Sequence, residues 1–196
     1  MIKILDNDLV YKPSEDSYLL LKAVKYARGE VLDMCAGNGI VGLTAAKKSR
    51  KVTLVDVNKN ALALIIKNAE TNDIKNYEVV HSDLFGNLRK RRFDVIYMNP
   101  PYLPGKVKKN DYLDVATLGG NNGYEFTIKA IKRLKAHLNE GGHAFIILST
   151  SYDVDKVYKL LESINFKFVV IDAKKFFFEE LILIEIYEKR GHSFCE

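Results

Sequence analysis

The sequence predicts an α/β fold: a seven-stranded, mostly parallel sheet with an antiparallel last strand and helices on both faces. Three observations predict it. Short β-branched runs alternate with stretches of helical periodicity along nearly the whole chain. A glycine-rich turn follows the first run, and acids close the next two. The last two runs are joined by a segment too short for a parallel crossover, so they should pair antiparallel at the sheet's edge.

Taken in order, Ser14 is placed to cap a first helix whose first turn carries Glu15 and Asp16, where the helix dipole favours negative charge. Leu20, Ala23, Val24 and Ala27 follow at helical spacing. "EVLDM", Glu30 to Met34, reads as the first strand, and "IVGLTAAKK" as a helix opening behind glycines. "KVTLVDV" is a second strand, and "NKNALALIIKNAETN" a helix capped by Asn58. "YEVVHSD" and "FDVIYMN" are the third and fourth strands. "GYEFTIKAIKRLKAHL" is a helix that Gly141-Gly142 should stop, ahead of a fifth strand, "HAFIILST". A helix from about Asp153 to Ile164 leads to the closing pair, "FKFVVIDA" and "FFFEELILIEIYE".

Composition sets bounds. No repeat, low-complexity tract or linker interrupts the 196 residues, which suit one domain, 1–196. No apolar run reaches the length of a membrane span, and "MIKILDNDLV" lacks the apolar core of a signal peptide. Cys35 and Cys195 are too few for a disulfide framework or a cysteine-based zinc site, so the expectation is a reduced, cytoplasmic protein without a metal. Net charge is +5, with basic clusters at "RKRR" (Arg89 to Arg92) and "KVKK" (Lys106 to Lys109). These read either as solvated surface or as attraction to an acidic partner.

The turn "LDMCAGNGIVG" places Gly37, Gly39 and Gly42 in the G-x-G-x-x-G pattern of dinucleotide sites, with Asp56 about 20 residues on, where a ribose-binding acid belongs. An NAD-dependent dehydrogenase is therefore one reading. Three features oppose it. Asp33, ahead of the glycines, would repel a pyrophosphate and attract a cation. Asp83, ending the third strand, is a second acid on the same edge, suited to an adenine amino group. An antiparallel last strand is foreign to the dinucleotide fold. A ligand with a ribose, an adenine and an ammonium group but no phosphate suits all three acids, and S-adenosylmethionine is that ligand.

The fourth strand ends at the same edge in "NPPY", Asn99, Pro100, Pro101 and Tyr102. An amide or aromatic amine nitrogen is a weak nucleophile because its lone pair is delocalised. A site that methylates one must orient the NH2 group and accept its two hydrogens. The Asn99 side-chain oxygen and the Pro100 carbonyl can do so. Proline fixes φ, and with it the direction of that carbonyl, and adds no competing N–H. Tyr102 can stack on the planar group. The loop reads as a rigid two-acceptor clamp that acts through orientation.

With these motifs the chain resembles the amino-group methyltransferases of the S-adenosylmethionine-dependent class. Within them it resembles the HemK/PrmC-type glutamine methyltransferases, and above all the short archaeal and eukaryotic branch acting on class I translation release factors. "VYKPSEDSYLLL" and "LGGNNGYEF" match that branch's N-terminal and Gly-Gly-x-x-Gly segments. The resemblance implies a class I methyltransferase fold and N5-methylation of the glutamine in a Gly-Gly-Gln motif. It implies that Tyr11, Pro13 and Ser17, from an N-terminal segment spanning residues 1–29, wall the cofactor site. Asp33 and Gly37 would contact the methionine part, with Gly39 retained in the same loop, Asp56 the ribose, and Asp83 and Leu84 the adenine. Asn99, Pro100 and Tyr102 would hold the substrate glutamine, with Asn99 also near the cofactor. The extra N-terminal helical domain of bacterial relatives is expected to be absent.

A small zinc-binding activator protein is the implied partner, paired along "YEVV" at the third-strand edge and shielding apolar surface, as an unpaired edge requires. Any zinc would be the partner's. One departure from the family is Cys35, where a glycine is usual. It should crowd the loop or alter its turn. Cys35 as a nucleophile is a distant alternative. N6-methylation of adenine in DNA or RNA remains open, because the clamp does not tell an adenine amine from a glutamine amide. The lack of a recognisable target-recognition domain weighs against it, and direct nucleic-acid binding is not the favoured partner class. Lysine methylation would need a base that the motif does not offer. A non-catalytic binding module would not need the intact clamp.

Overall fold

The computed structural model describes residues 2–108, 111–189 and 192–194. Lys109 of the second basic cluster and Cys195 lie outside the described residues. Seven strands form one sheet: β1 (Glu30–Met34), β2 (Lys51–Asp56), β3 (Tyr77–His81), β4 (Phe93–Met98), β7 (Leu138–Ser149), β8 (Phe166–Lys175) and β9 (Glu180–Glu188). Their order is β3-β2-β1-β4-β7-β9-β8. The first five run parallel, while β9 is antiparallel to both β7 and β8. The predicted hairpin at the sheet's edge is thus present.

The helices are α1 (Glu15–Leu21), α2 (Ile40–Ala45), α3 (Lys59–Thr71), α4 (Tyr112–Thr117), α5 (Glu125–His137) and α6 (Asp155–Ser163). A 3-10 helix, Lys22–Tyr26, extends α1. The central strands are buried on both faces because side chains alternate sides along a strand. Val31 and Leu54 face a core shared with α1, α2 and α3. Their neighbours Leu32 and Val55 face a second core, shared with α5 and α6.

Several expectations are corrected. Ser14 occupies the cap position of α1, but its side chain makes no capping hydrogen bond. The helix α5 ends at His137 rather than at Gly141-Gly142. β7 has already begun at Leu138, held beside β4 by Arg92, which donates to the Leu138 carbonyl at 2.5 Å, and by Asn139, which donates to Asp94 at 2.7 Å. The extra residues bulge between the Phe93 and Val95 registers, and Gly141 takes the left-handed turn there (φ +66°). β3 ends at His81, so Asp83 lies two residues beyond the strand.

Not predicted was an insert after β4: two-residue β5 (Leu103–Pro104), α4 and three-residue β6 (Leu118–Gly120), with β5 and β6 paired in a ladder of their own. Also unpredicted is the seat of residues 192–194. Buried Glu185 of β9 accepts from the Ser193 hydroxyl at 2.6 Å and from the Phe194 amide at 2.9 Å, and His143 Nδ1 lies 2.8 Å from it. The Phe194 ring stacks on His143 and Tyr26.

Candidate active site

The C-terminal ends of β1 to β4 open into one cavity of about 320 Å³, within the usual size of small-ligand sites. Its outer wall is the N-terminal segment, which three asparagines of α3 and its flanks tie down. Asn72 exchanges two hydrogen bonds with the Lys3 backbone, Asn68 accepts from the Leu5 amide, and Asn58 donates to the Leu9 carbonyl. Val10 packs on Ala61 and Leu64. This brings Tyr11, Pro13 and Ser17 onto the wall.

Asp16 lines the cavity as well, at 3% exposure. Its Oδ2 accepts from the Tyr11 hydroxyl at 3.1 Å and from the Tyr102 hydroxyl at 3.3 Å. Burial and this carboxylate raise both phenols above their ordinary range, so both stay protonated donors. The sequence reading gave Asp16 only a helix-dipole role. The adjacent "ED" pair held no clue to which acid turns inward. Glu15 turns out and pairs with Lys174.

The glycine loop is built around two strand-end acids. Asp56 accepts from the Gly37 amide at 2.9 Å and the Asn58 amide at 2.8 Å. Asp33, 2% exposed, accepts from the Gly42 amide at 2.7 Å. Burial, with Asp56 nearby, pushes the Asp33 carboxyl up to about 7 against the pull of that amide. Gly37 and Asn38 are on the cavity wall, but Gly39 is not. A side chain at Gly39 would meet Ile65, Leu43 and Leu54 within 3.2 Å, so this glycine serves the packing of α2 and α3 on β2 rather than a ligand. Asn38 was not foreseen. Its Oδ1 caps the Ile40 amide, and its buried Nδ2 has no protein partner.

Cys35 takes φ +60°, the left-handed region that glycine adopts freely and other residues at a cost of roughly 1–2 kcal/mol. The turn expected for a glycine is therefore kept, with the cysteine carrying the strain. Burial and the carboxylates of Asp56, Asp33 and Asp83 push its thiol well above the normal range, which disfavours the thiolate a nucleophile needs. Asp83 and Leu84 complete the wall. Asp83 is exposed and paired with Lys129 at 2.8 Å.

Beyond β4, Asn99, Pro100, Pro101 and Tyr102 line the same cavity. Asn99 Oδ1 is buried and has no protein partner. Buried acceptors are rarely left so. Three segments hold Tyr102: its amide donates to the Thr117 carbonyl at 3.0 Å, its carbonyl accepts from Ser151 at 3.3 Å, and its hydroxyl reaches Asp16. The glycines of "LGGNNG" back the clamp. A Cβ at Gly119 would fall 2.5 Å from the Pro101 carbonyl oxygen, and one at Gly123 2.5 Å from that of Tyr102.

The basic clusters separate. Arg91 and Arg92 precede β4, at the opposite sheet edge, and serve the fold: Arg91 bonds Thr53 and pairs with Glu78, while Arg92 holds the start of β7. Lys106 and Lys108 are exposed just after the clamp.

Residues 12–178 match the family described as methyltransferase small domain. The chain belongs to that family. A protein of Methanocaldococcus jannaschii named provisionally as a protein N5-glutamine methyltransferase is 36% identical to this methyltransferase, over 95% of each chain. A release factor glutamine methyltransferase of Leptospira interrogans is 31% identical over 72% of this chain, which spans only 54% of that relative's length. Among solved structures, the Mtq2–Trm112 complex of E. cuniculi, described as responsible for methylating the eRF1 translation termination factor, aligns with a TM-score of 0.73. It is 21% identical, over 92% of this chain and 99% of that one, and the likeness shows a shared fold. The methyltransferase uses S-adenosylmethionine, and its sheet order with an antiparallel β9 is the class I arrangement. Among its described residues no helix is long and apolar enough to cross a membrane.

Proposed function

We propose that the protein methylates N5 of the glutamine in the Gly-Gly-Gln motif of a class I translation release factor. The observation that carries this reading is the unpartnered, buried Asn99 Oδ1 beside Pro100, on the wall of a cavity that Asp33, Asp56 and Asp83 also line. A carboxamide NH2 would satisfy that oxygen, and the Pro100 carbonyl would take the second hydrogen. Tyr102 would fix the plane of the amide. Similarity to glutamine methyltransferases favours an amide over an adenine acceptor.

In the cofactor end, buried Asp33 is suited to the ammonium group and the free Nδ2 of Asn38 to the carboxylate of the methionine part. Asp56 is suited to the ribose hydroxyls, and Asp83 and Leu84 to the adenine, beneath a wall of Tyr11, Pro13 and Ser17. When bound, S-adenosylmethionine supplies an electrophilic methyl whose bonding electrons leave with sulfur. The clamp's task is to aim the amide nitrogen along that axis, where orientation alone is worth several kcal/mol. One amide proton then leaves to solvent, so no strong base is needed.

The reading includes a small activator protein paired along the free outer edge of β3, where Tyr77 and Val79 are half-buried. The Mtq2–Trm112 complex supports a partner of this kind. Cytoplasmic action on a translation factor is part of the same proposal. Radiolabelled S-adenosylmethionine tests it, with and without the activator, on the folded release factor and on that factor with its motif glutamine changed to alanine. Label on the unmutated factor alone is expected. Equal label on both, or none on either, overturns the reading and turns attention to adenine and lysine acceptors.

A further inference from the structure

The β8–β9 hairpin closes in Phe176-Phe177-Phe178-Glu179. Phe177 is 93% exposed and Phe178 91%, and their rings pack edge to face, 4.7 Å apart. Aromatic side chains this exposed are costly to solvate and mark contact surface when they adjoin a site. The turn is pinned: the Phe176 amide donates to the Glu179 carbonyl at 2.7 Å, and Glu180 exchanges backbone and hydroxyl bonds with Thr150.

The hairpin's closed end lies at the same sheet edge as the clamp, because β9 runs back along β7 from that edge. It is also wired to the clamp. The Glu179 carboxylate accepts from Ser149, and Ser151, 2.9 Å from the Ser149 hydroxyl, donates to the Tyr102 carbonyl. Strands β4 and β9 are two positions apart, which is about 10 Å by sheet spacing. Leu103 and Tyr112 are partly exposed and line the same cavity, and helix α4 has no buried residue.

We propose that Phe177 and Phe178 dock the protein that presents the acceptor glutamine, as anchors outside the reacting site. This rests on the release-factor reading and adds to it a surface on this chain. The exposed area favours such a partner over a second copy. Two phenylalanines offer roughly 300–500 Å², short of the ~800 Å² per partner of a stable interface, whereas a substrate already seated in the clamp supplies the remainder.

The double variant F177S/F178S tests the proposal in the labelling assay with folded release factor. Its KM for the factor should rise about tenfold or more, as loss of exposed aromatic anchors does. Its kcat should stay within twofold and its cofactor affinity unchanged, and F177L/F178L should recover most of the loss. An unchanged KM overturns the docking role while the function stands. If the unsubstituted enzyme never labels the factor, the function reading fails and the docking role falls with it. A dimer in solution that the double variant reduces to monomer would make the occupant a second copy and overturn the proposal.

Discussion

Asn99 is the residue on which the proposed chemistry turns, because its orphaned oxygen is an acceptor for which the protein supplies no hydrogen. Asn99→Ala should lower kcat by about 10²–10³, the usual loss for a preorganised hydrogen-bonding group, and leave cofactor affinity intact by calorimetry. Asp33 predicts a pH dependence. Its carboxyl is held near 7 by burial, so below that pH the folded protein keeps a proton that the unfolded chain releases near pH 4. Its contribution to stability therefore falls as pH rises through that window. A cationic ligand needs the ionised form. Cofactor affinity should rise about tenfold from pH 5.5 to 7, and Asp33→Asn should flatten that slope. A flat profile in the unsubstituted protein would remove Asp33 from the ammonium site.

The clamp, the strand-end acids and the first glycine were legible at this scale, because each is a short motif whose chemistry needs particular atoms. Asp16 was not. What makes it central is contact with Tyr11 and with Tyr102, the latter 86 positions away, and no local pattern encodes such a contact. Gly39 lies off the cavity wall and packs against Ile65, Leu43 and Leu54, and a glycine kept for packing and one kept for a ligand are identical letters.

Among the elements, the clamp's rigidity comes from the insert between β4 and α5. Gly123 sits at φ +90° with its Cα facing the Tyr102 carbonyl. Gly123→Ala should therefore displace the clamp, costing roughly 1–3 kcal/mol of stability and a larger share of kcat than of cofactor binding. Thermal melts alongside single-turnover labelling would check both. Strands and long helices were legible because their periodicity repeats. The insert escaped notice because β5 and β6 are two and three residues long, too short for any period, and exist only through each other.

For the whole molecule, β9 does more than close the sheet. Burial pushes Glu185 up, but His143 and the donors from Phe194 and Ser193 hold it below its ordinary value. The pair bridges β7 and β9 and holds residues 192–194 against them. Phe194→Ala should cost about 2 kcal/mol in chemical denaturation, since an aromatic stack in a partly buried seat is lost. Activity per folded molecule should stay unchanged. The mostly parallel sheet and its antiparallel edge were legible from alternation and loop length, whereas the strand order β3-β2-β1-β4-β7-β9-β8 was not. This seat was not, because a lone glutamate in an apolar strand reads as a surface residue until its partners are seen.

One carboxylate oxygen, Asp16 Oδ2, accepts from both Tyr11 and Tyr102, which in the proposed site belong to the cofactor wall and the acceptor clamp. On that proposal a shift of one phenol is felt by the other, so binding of the two ligands should be coupled. By thermodynamic reciprocity, the factor by which a seated methyl donor tightens the acceptor is the factor by which the acceptor tightens the donor. The enzyme's two substrates thus share a single ledger, kept by a residue that reacts with neither.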